Sequence, residues 1–209
     1  MKLAKLFAAA FCALAIHASA SLADTNTTAA VTNQPLPDAV HVLLSTDAGD
    51  MELELDVKHA PLSARNFLRY VEAGHYDGGR FFRAVTMTNQ PTNEFKIQVV
   101  QAEASPARRR DFFPPIPLER TRDTGLRHVD GSLSMARNGP DTARDSFSIV
   151  IGDQPEMDFG GRRNADGQGF AVFGRVVKGM DVAKKIQSGE VNGQQLLAPV
   201  RIRSAKRID

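Results

Sequence analysis

His41-Val42-Leu43-Leu44-Ser45-Thr46, Asp47-Ala48-Gly49-Asp50 and Met51-Glu52-Leu53-Glu54-Leu55 are the consecutive runs that decide the fold of this chain. The first is short and apolar enough for a strand, and the second has the small and acidic residues of a tight turn. The third alternates apolar and polar residues strictly, which places Met51, Leu53 and Leu55 on one face. Together they predict a β-hairpin with one side buried.

Outward from the hairpin, Pro61 opens a segment in which Ala64, Phe67, Leu68 and Val71 fall at three- and four-residue spacing. Gly74 follows where a left-handed C-terminal cap belongs, so a helix is predicted over 61–73. Short β-type runs come next at 81–85, 95–100, 132–136, 147–151 and 170–176, separated by loops rich in Gly and Pro. A second helix is predicted at 181–187 and a last strand at 200–208. Many short strands with only two helices imply an all-β barrel or sandwich, and closure into a barrel would remove the exposed sheet edges. With 209 residues there is room for one domain with a sizeable core.

The N-terminus reads differently. Lys2 and Lys5 precede an apolar run over 6–16 and then small residues, the pattern of a cleaved signal peptide over 1–23. Cleavage before Ser21 and cleavage before Asp24 both fit the small-x-small pattern. The apolar run is too short to span a bilayer. Residues 24–38, rich in Thr, Asn, Ala and Pro, form a flexible lead-in, and the domain occupies 39–209. Export to the periplasm is the expectation, with no membrane attachment after cleavage.

Charge and cysteine content narrow the function classes. The chain has 26 Lys and Arg against 24 Asp and Glu, and removing the two leader lysines leaves a formally neutral protein. Nucleic-acid binding by phosphate neutralisation has no support in that balance, and Arg108-Arg109-Arg110 and Arg162-Arg163 read as solvated loop surface. The single cysteine, Cys12, lies within the leader, so the mature chain has neither a thiol nor a disulfide. His41, His59, His75 and His128 are too far apart in sequence for a compact metal motif. No metal and no cofactor are expected.

Several separated runs resemble the cyclophilin-type peptidyl-prolyl isomerases, in particular their bacterial exported branch. They are 42–46 with 51–55, Ala60-Pro61-Leu62-Ser63-Ala64-Arg65-Asn66-Phe67, Gly131-Ser132-Leu133-Ser134-Met135-Ala136-Arg137, and the run from Phe170 to Asp181. The resemblance extends in order from about residue 40 to the C-terminus. It implies a closed eight-stranded antiparallel β-barrel capped by two α-helices, with a groove for proline-containing segments of unfolded or folding exported proteins, in a monomer.

By the same resemblance, Arg83 matches the family's catalytic arginine. Phe95, Gln98, Ala136, Arg137, Phe147, Ser148, Met157 and Phe170 match its substrate-binding positions. The departures also fall on the groove. Phe82 replaces a histidine, residues 86–94 are inserted, and Lys96 stands for an apolar pocket residue. Ser148 stands for a wall phenylalanine and Glu156 for an aromatic residue. These departures motivate the alternative of a peptide-binding or chaperone module with weak or no isomerase activity. A hydrolase finds little support, because the Gly131–Met135 run lacks a Gly-x-Ser-x-Gly elbow and only His128 is nearby.

Overall fold

The computed structural model describes residues 36–209, so the leader at 1–23 and most of the lead-in lie outside the described residues. The opening hairpin pairs β1 (Ala39–Thr46) with β2 (Gly49–Asp56). Val40 faces Leu55, Val42 faces Leu53 and Leu44 faces Met51, and all six are fully buried. This is the expected alternation realised on both strands. The turn is held by Thr46, whose Oγ1 accepts from the backbone of Ala48 and Gly49 at 3.1 and 3.2 Å. Gly49 is required there, since its φ is +142° and a Cβ would meet Val182 at 2.8 Å.

Helix α1 (Pro61–Glu72) starts at Pro61 and is followed by Gly74 at φ +63°. Its buried face includes Ala64, Phe67, Leu68 and Val71, the four residues picked out by spacing. Phe67 is the centre of the aromatic core, with its ring centroid 4.9 Å from Tyr76, 5.1 Å from Phe147 and 5.3 Å from Phe173. Such tilted and edge-on contacts add to the apolar burial.

The remaining strands are β3 (Arg80–Val85), β4 (Val99–Glu103), β5 (Ser132–Met135), β6 (Phe147–Val150), β7 (Val172–Lys178), the two-residue β8 (Val191–Asn192) and β9 (Gln195–Arg207). The sheet runs β1-β2-β7-β5-β6-β4-β3-β9, and pairing of β9 with β1 closes it into an eight-stranded antiparallel barrel; β8 adds only a short hairpin to β9. The one-turn helix α2 (Thr121–Thr124) lies in the connection from β4 to β5, and α3 (Met180–Gln187) follows β7. Helix α3 touches β2 on one side and β3 and β4 on the other. Those strands lie opposite each other around the ring, so α3 crosses a mouth of the barrel. The expected barrel and both expected helices are present.

Two expected boundaries are corrected. The strand over 95–100 begins only at Val99 and continues to Glu103. Before it, the buried Gln90 side chain takes the place of a neighbouring strand, accepting from Ile97 N at 3.2 Å and donating to Ile97 O at 2.7 Å. The last strand starts at Gln195, five residues early, because a turn at Gly193 folds β8 back onto it and buries Leu196.

Candidate active site

On the outer face of the barrel, β4, β5 and β6 and the loops after β3, β5 and β6 surround a cavity of about 340 Å³. Strand alternation sorts the β4 region between two environments. Val100 and Ala102 face the main core, while Ile97 and Val99 join Val85, Val150, Met157 and Phe170 in a second, smaller apolar cluster. Ile97, Val99, Met157 and Phe170 from that cluster form the apolar side of the cavity.

Arg83 lines the same cavity, half-buried on β3, opposite Gln101 in the ladder and two residues before the Val85–Val99 pair of the apolar cluster. Its Nη1 donates to Gln101 Oε1 at 2.9 Å and its Nε to Gln194 Oε1 at 2.9 Å, while Nη2 also reaches Gln194 Oε1. Gln194, from the β8–β9 turn, is fixed in turn by donating to Asn89 O at 3.2 Å. Two neutral amides therefore aim a guanidinium that has no acidic partner among the described residues. Burial, followed by the charge of Arg163, pulls the Arg83 pKa below its ordinary value. The group remains a cation at any working pH, but one poorly compensated by its surroundings.

Six of the nine residues expected at the site line this cavity: Arg83, Ala136, Arg137, Ser148, Met157 and Phe170. Three do not. Phe147 points into the barrel, fully buried against Phe67, Tyr76 and Phe81; its neighbour Ser148 takes the outer face, as strand alternation requires. Phe95 lies outside the lining, its ring under the Arg162 guanidinium at 3.9 Å. Gln98 falls on an irregular stretch outside the lining, and its carbonyl accepts from Ile151 N at 3.0 Å. The insertion shifts the register: the Phe95-x-x-Gln98 spacing matches the motif, but the ladder sets Gln101 opposite Arg83 and puts Ile97 and Val99 on the cavity side. Lys96 is exposed and also lies outside the lining, so it does not replace an apolar pocket residue.

The inserted segment forms one lip of the cavity. Asn93 lines it, Asn89 accepts from Thr86 N and donates to Ala84 O at 2.9 Å each, and Gln90 is 0% exposed. Facing it, the loop after β6 contributes Arg163 and Asn164. Arg163 is half-buried, contrary to its reading as solvated surface; its Nη1 donates to Gln90 Oε1 at 2.8 Å and to Phe95 O at 3.0 Å. Glu156 is turned away onto Arg162, whose backbone N donates to it at 2.8 Å. Arg137 is spent structurally: its side chain, 1% exposed, makes a two-pronged pair with Asp166 at 2.7 and 2.9 Å and donates to Gly169 O. That pair holds the Asp166 carboxyl down at about 2.

Behind Ser134, which belongs to the cavity lining, His128 bridges Asp158 and Ser134, with Nδ1 at 2.7 Å from Asp158 Oδ1 and Nε2 at 2.9 Å from Ser134 Oγ. Burial alone would raise the Asp158 carboxyl, but hydrogen bonding to His128 and the nearby positive charge outweigh it and hold it below the usual range. Ser134 lies within β5 at 1% exposure, so this chain acts as a rigid support for the lining and not as an exposed nucleophile on a turn. Among the described residues no group of three His, Cys, Asp or Glu side chains could hold a metal ion.

A family model described as cyclophilin type peptidyl-prolyl cis-trans isomerase/CLD matches residues 41–207. The peptidyl-prolyl cis-trans isomerase A of Dickeya dadantii is 38% identical over 81% of this chain and 85% of its own length. The cyp18 isomerase of Streptomyces antibioticus is 35% identical over 79% and 96%. Among solved structures, a cyclophilin-type isomerase of Cryptosporidium parvum superposes with a TM-score of 0.61 at 17% identity, covering 82% of this chain and 98% of that one. The same parvum protein in the presence of the dipeptide Ala-Pro gives a TM-score of 0.59 at 18% identity, covering 81% and 99%. These structural likenesses concern the fold.

Proposed function

The chain belongs to the cyclophilin-type peptidyl-prolyl cis-trans isomerase family, and from that premise we propose how its cavity rotates X–Pro bonds and where it does so. The reaction breaks no covalent bond. Its barrier, about 18–20 kcal/mol, is the resonance of the C–N bond. Catalysis therefore means binding the twisted amide better than either planar isomer. A gain of about 10⁵ requires roughly 7 kcal/mol of such preference.

The proline ring packs on the apolar side formed by Ile97, Val99, Met157 and Phe170. Arg83 donates to the peptide backbone around the twisting bond, where the amide nitrogen regains its lone pair as conjugation is lost. Gln101 and Gln194 hold the guanidinium in place before substrate arrives, so little reorganisation remains for the transition state. The observation that carries this reading is the Arg83 guanidinium, aimed by two amides and uncompensated by any carboxylate among the described residues, lining the same cavity as an apolar patch. Ser148 leaves one wall without a large side chain, so a weak grip on the ring and a high KM are expected. Metal and cofactor have no part in this scheme.

The substrates, on this reading, are proline-containing segments of exported proteins in the periplasm, whose uncatalysed isomerisation takes tens to hundreds of seconds. The leader-like pattern over 1–23 supports that place of action. Two-dimensional NMR exchange on an Ala-Pro peptide tests the activity: cis–trans exchange peaks at substoichiometric protein are expected. Shift perturbation without exchange would mean a module that binds and does not catalyse. Cell fractionation with N-terminal sequencing tests export: a chain cut after the leader in the periplasmic fraction is expected, and a chain still beginning at Met1 and confined to the cytoplasmic fraction would contradict it.

A further inference from the structure

Three arginines line the cavity, and only one is neutralised. Arg137 is taken up by Asp166. Among the described residues Arg83 has only the amide oxygens of Gln101 and Gln194, and Arg163 only Gln90 Oε1 and the Phe95 carbonyl. No Asp or Glu is among the lining residues. Arg163 commits one of its three guanidinium nitrogens to these bonds, and its Nε and Nη2 make none among the described residues. Beside it, Asn164 Nδ2 is a buried donor without a partner among the described residues, an arrangement proteins tolerate mainly where something else supplies the acceptor. Burial lowers the pKa of Arg163 as it does that of Arg83, the signature of partly desolvated cations lacking a counter-ion.

The loop is also built to keep Arg163 there. Arg162, one residue back, stacks on the Phe95 ring and pairs with Glu156, pinning the loop to the inserted lip. Arg163 thereby turns inward while its neighbour stays on the surface. Asn93 and Asn138, which also line the cavity, are neutral and bring no negative charge to offset the two cations. An acceptor-rich, negatively charged group is the chemical complement of this half of the cavity.

Resting on the isomerase reading of the same cavity, we infer that it selects proline segments carrying an acidic side chain next to the proline. The Asp or Glu carboxylate is received by Arg163 and Asn164 while the prolyl ring lies on the apolar side. Arg163 is then a specificity-determining residue, and Arg83 remains assigned to the twisting bond. The preference is electrostatic, so it weakens with salt.

The test uses the mature protein and C-terminally amidated peptides differing only at the residue before or after proline: Glu, its neutral isostere Gln, or Lys. Both kcat/KM and binding, by NMR exchange and shift titration, are measured at low salt and at about 0.5 M NaCl. A preference of about five-fold for Glu over Gln is expected at one of the two positions, with Lys poorest, shrinking towards one at high salt. It should vanish in Arg163→Gln, persist in Arg163→Lys and pass to the Lys peptide in Arg163→Glu. A Glu-to-Gln ratio near one for wild type at both positions, or a ratio unmoved by salt, overturns the inference even if no Arg163 variant folds. Absence of exchange on every peptide contradicts the isomerase reading, whereas the binding ratio still decides the acidic subsite.

Discussion

Replacing Gln194 by Met tests whether Arg83 works because it is aimed. The thioether keeps the length and bulk of the side chain but removes the oxygen that receives Nε at 2.9 Å and also Nη2. Only the Nη1 bond to Gln101 is left. A hydrogen bond involving a charged group is worth about 1.5–3 kcal/mol. Because the guanidinium is half-buried and water can replace part of what is lost, the lower end applies. About 1.5 kcal/mol of lost transition-state preference corresponds to roughly a ten-fold fall in kcat/KM. The fall should lie in kcat, because the apolar side that holds the proline ring is untouched. The assay is exchange NMR over a series of peptide concentrations, with a thermal melt to show that the Asn89 contact to the same amide is not the cause. In an Arg83→Ala background the same substitution should cost nothing further, since Gln194 acts through Arg83. A kcat/KM within two-fold of wild type, or an undiminished cost without Arg83, would refute the reasoning.

Three further outcomes follow from the geometry. Ser148→Phe restores a large wall beside the apolar patch and should lower KM several-fold; an unchanged KM would show that this position does not meet the substrate. Phe67→Ala removes the centre of the aromatic core and should cost about 3–5 kcal/mol in urea unfolding, with a cost under about 1 kcal/mol contradicting the packing described. The Arg137–Asp166 pair should be sensitive to acid. Because folding depresses the Asp166 pKa from 3.8 to about 2, its contribution is complete above about pH 4 and is lost as pH falls towards 2. The Tm difference between wild type and Asp166→Asn should be constant from pH 7 to about 4.5 and then close, and a difference that widens in acid would contradict that sign.

The scaffold was legible because its signals are local. Strict alternation at Met51, Leu53 and Leu55 dictates a half-buried strand, and the spacing of Ala64, Phe67, Leu68 and Val71 after Pro61 dictates a helix. The motif around Arg83 singles it out in the sequence, and the fold sets it on the lining of the cavity. The β4 side of the cavity was misplaced because Phe95-Lys96-Ile97-Gln98 carries the right residue types three positions early. Only the pairing of Arg83 with Gln101 reveals that a buried glutamine, Gln90, has absorbed the preceding segment. The alternation of Ile97, Val99 and Gln101 against Val100 and Ala102 was a usable signal for that register. Gln194 carries no local signal at all, since it reaches Arg83 from 111 residues away along the chain. Arg163 reads as an ordinary loop cation until the fold sets it against the Phe95 carbonyl.

The most direct test of the account compares wild type and Arg83→Ala by two-dimensional exchange on the same Ala-Pro peptide, with peptide affinity measured alongside. Exchange should be strong with wild type and fall by two or more orders of magnitude in the variant, while binding, which rests on the apolar side of the cavity, falls only a few-fold. Exchange by Arg83→Ala at the wild-type rate would contradict the claim that this guanidinium stabilises the twisted bond.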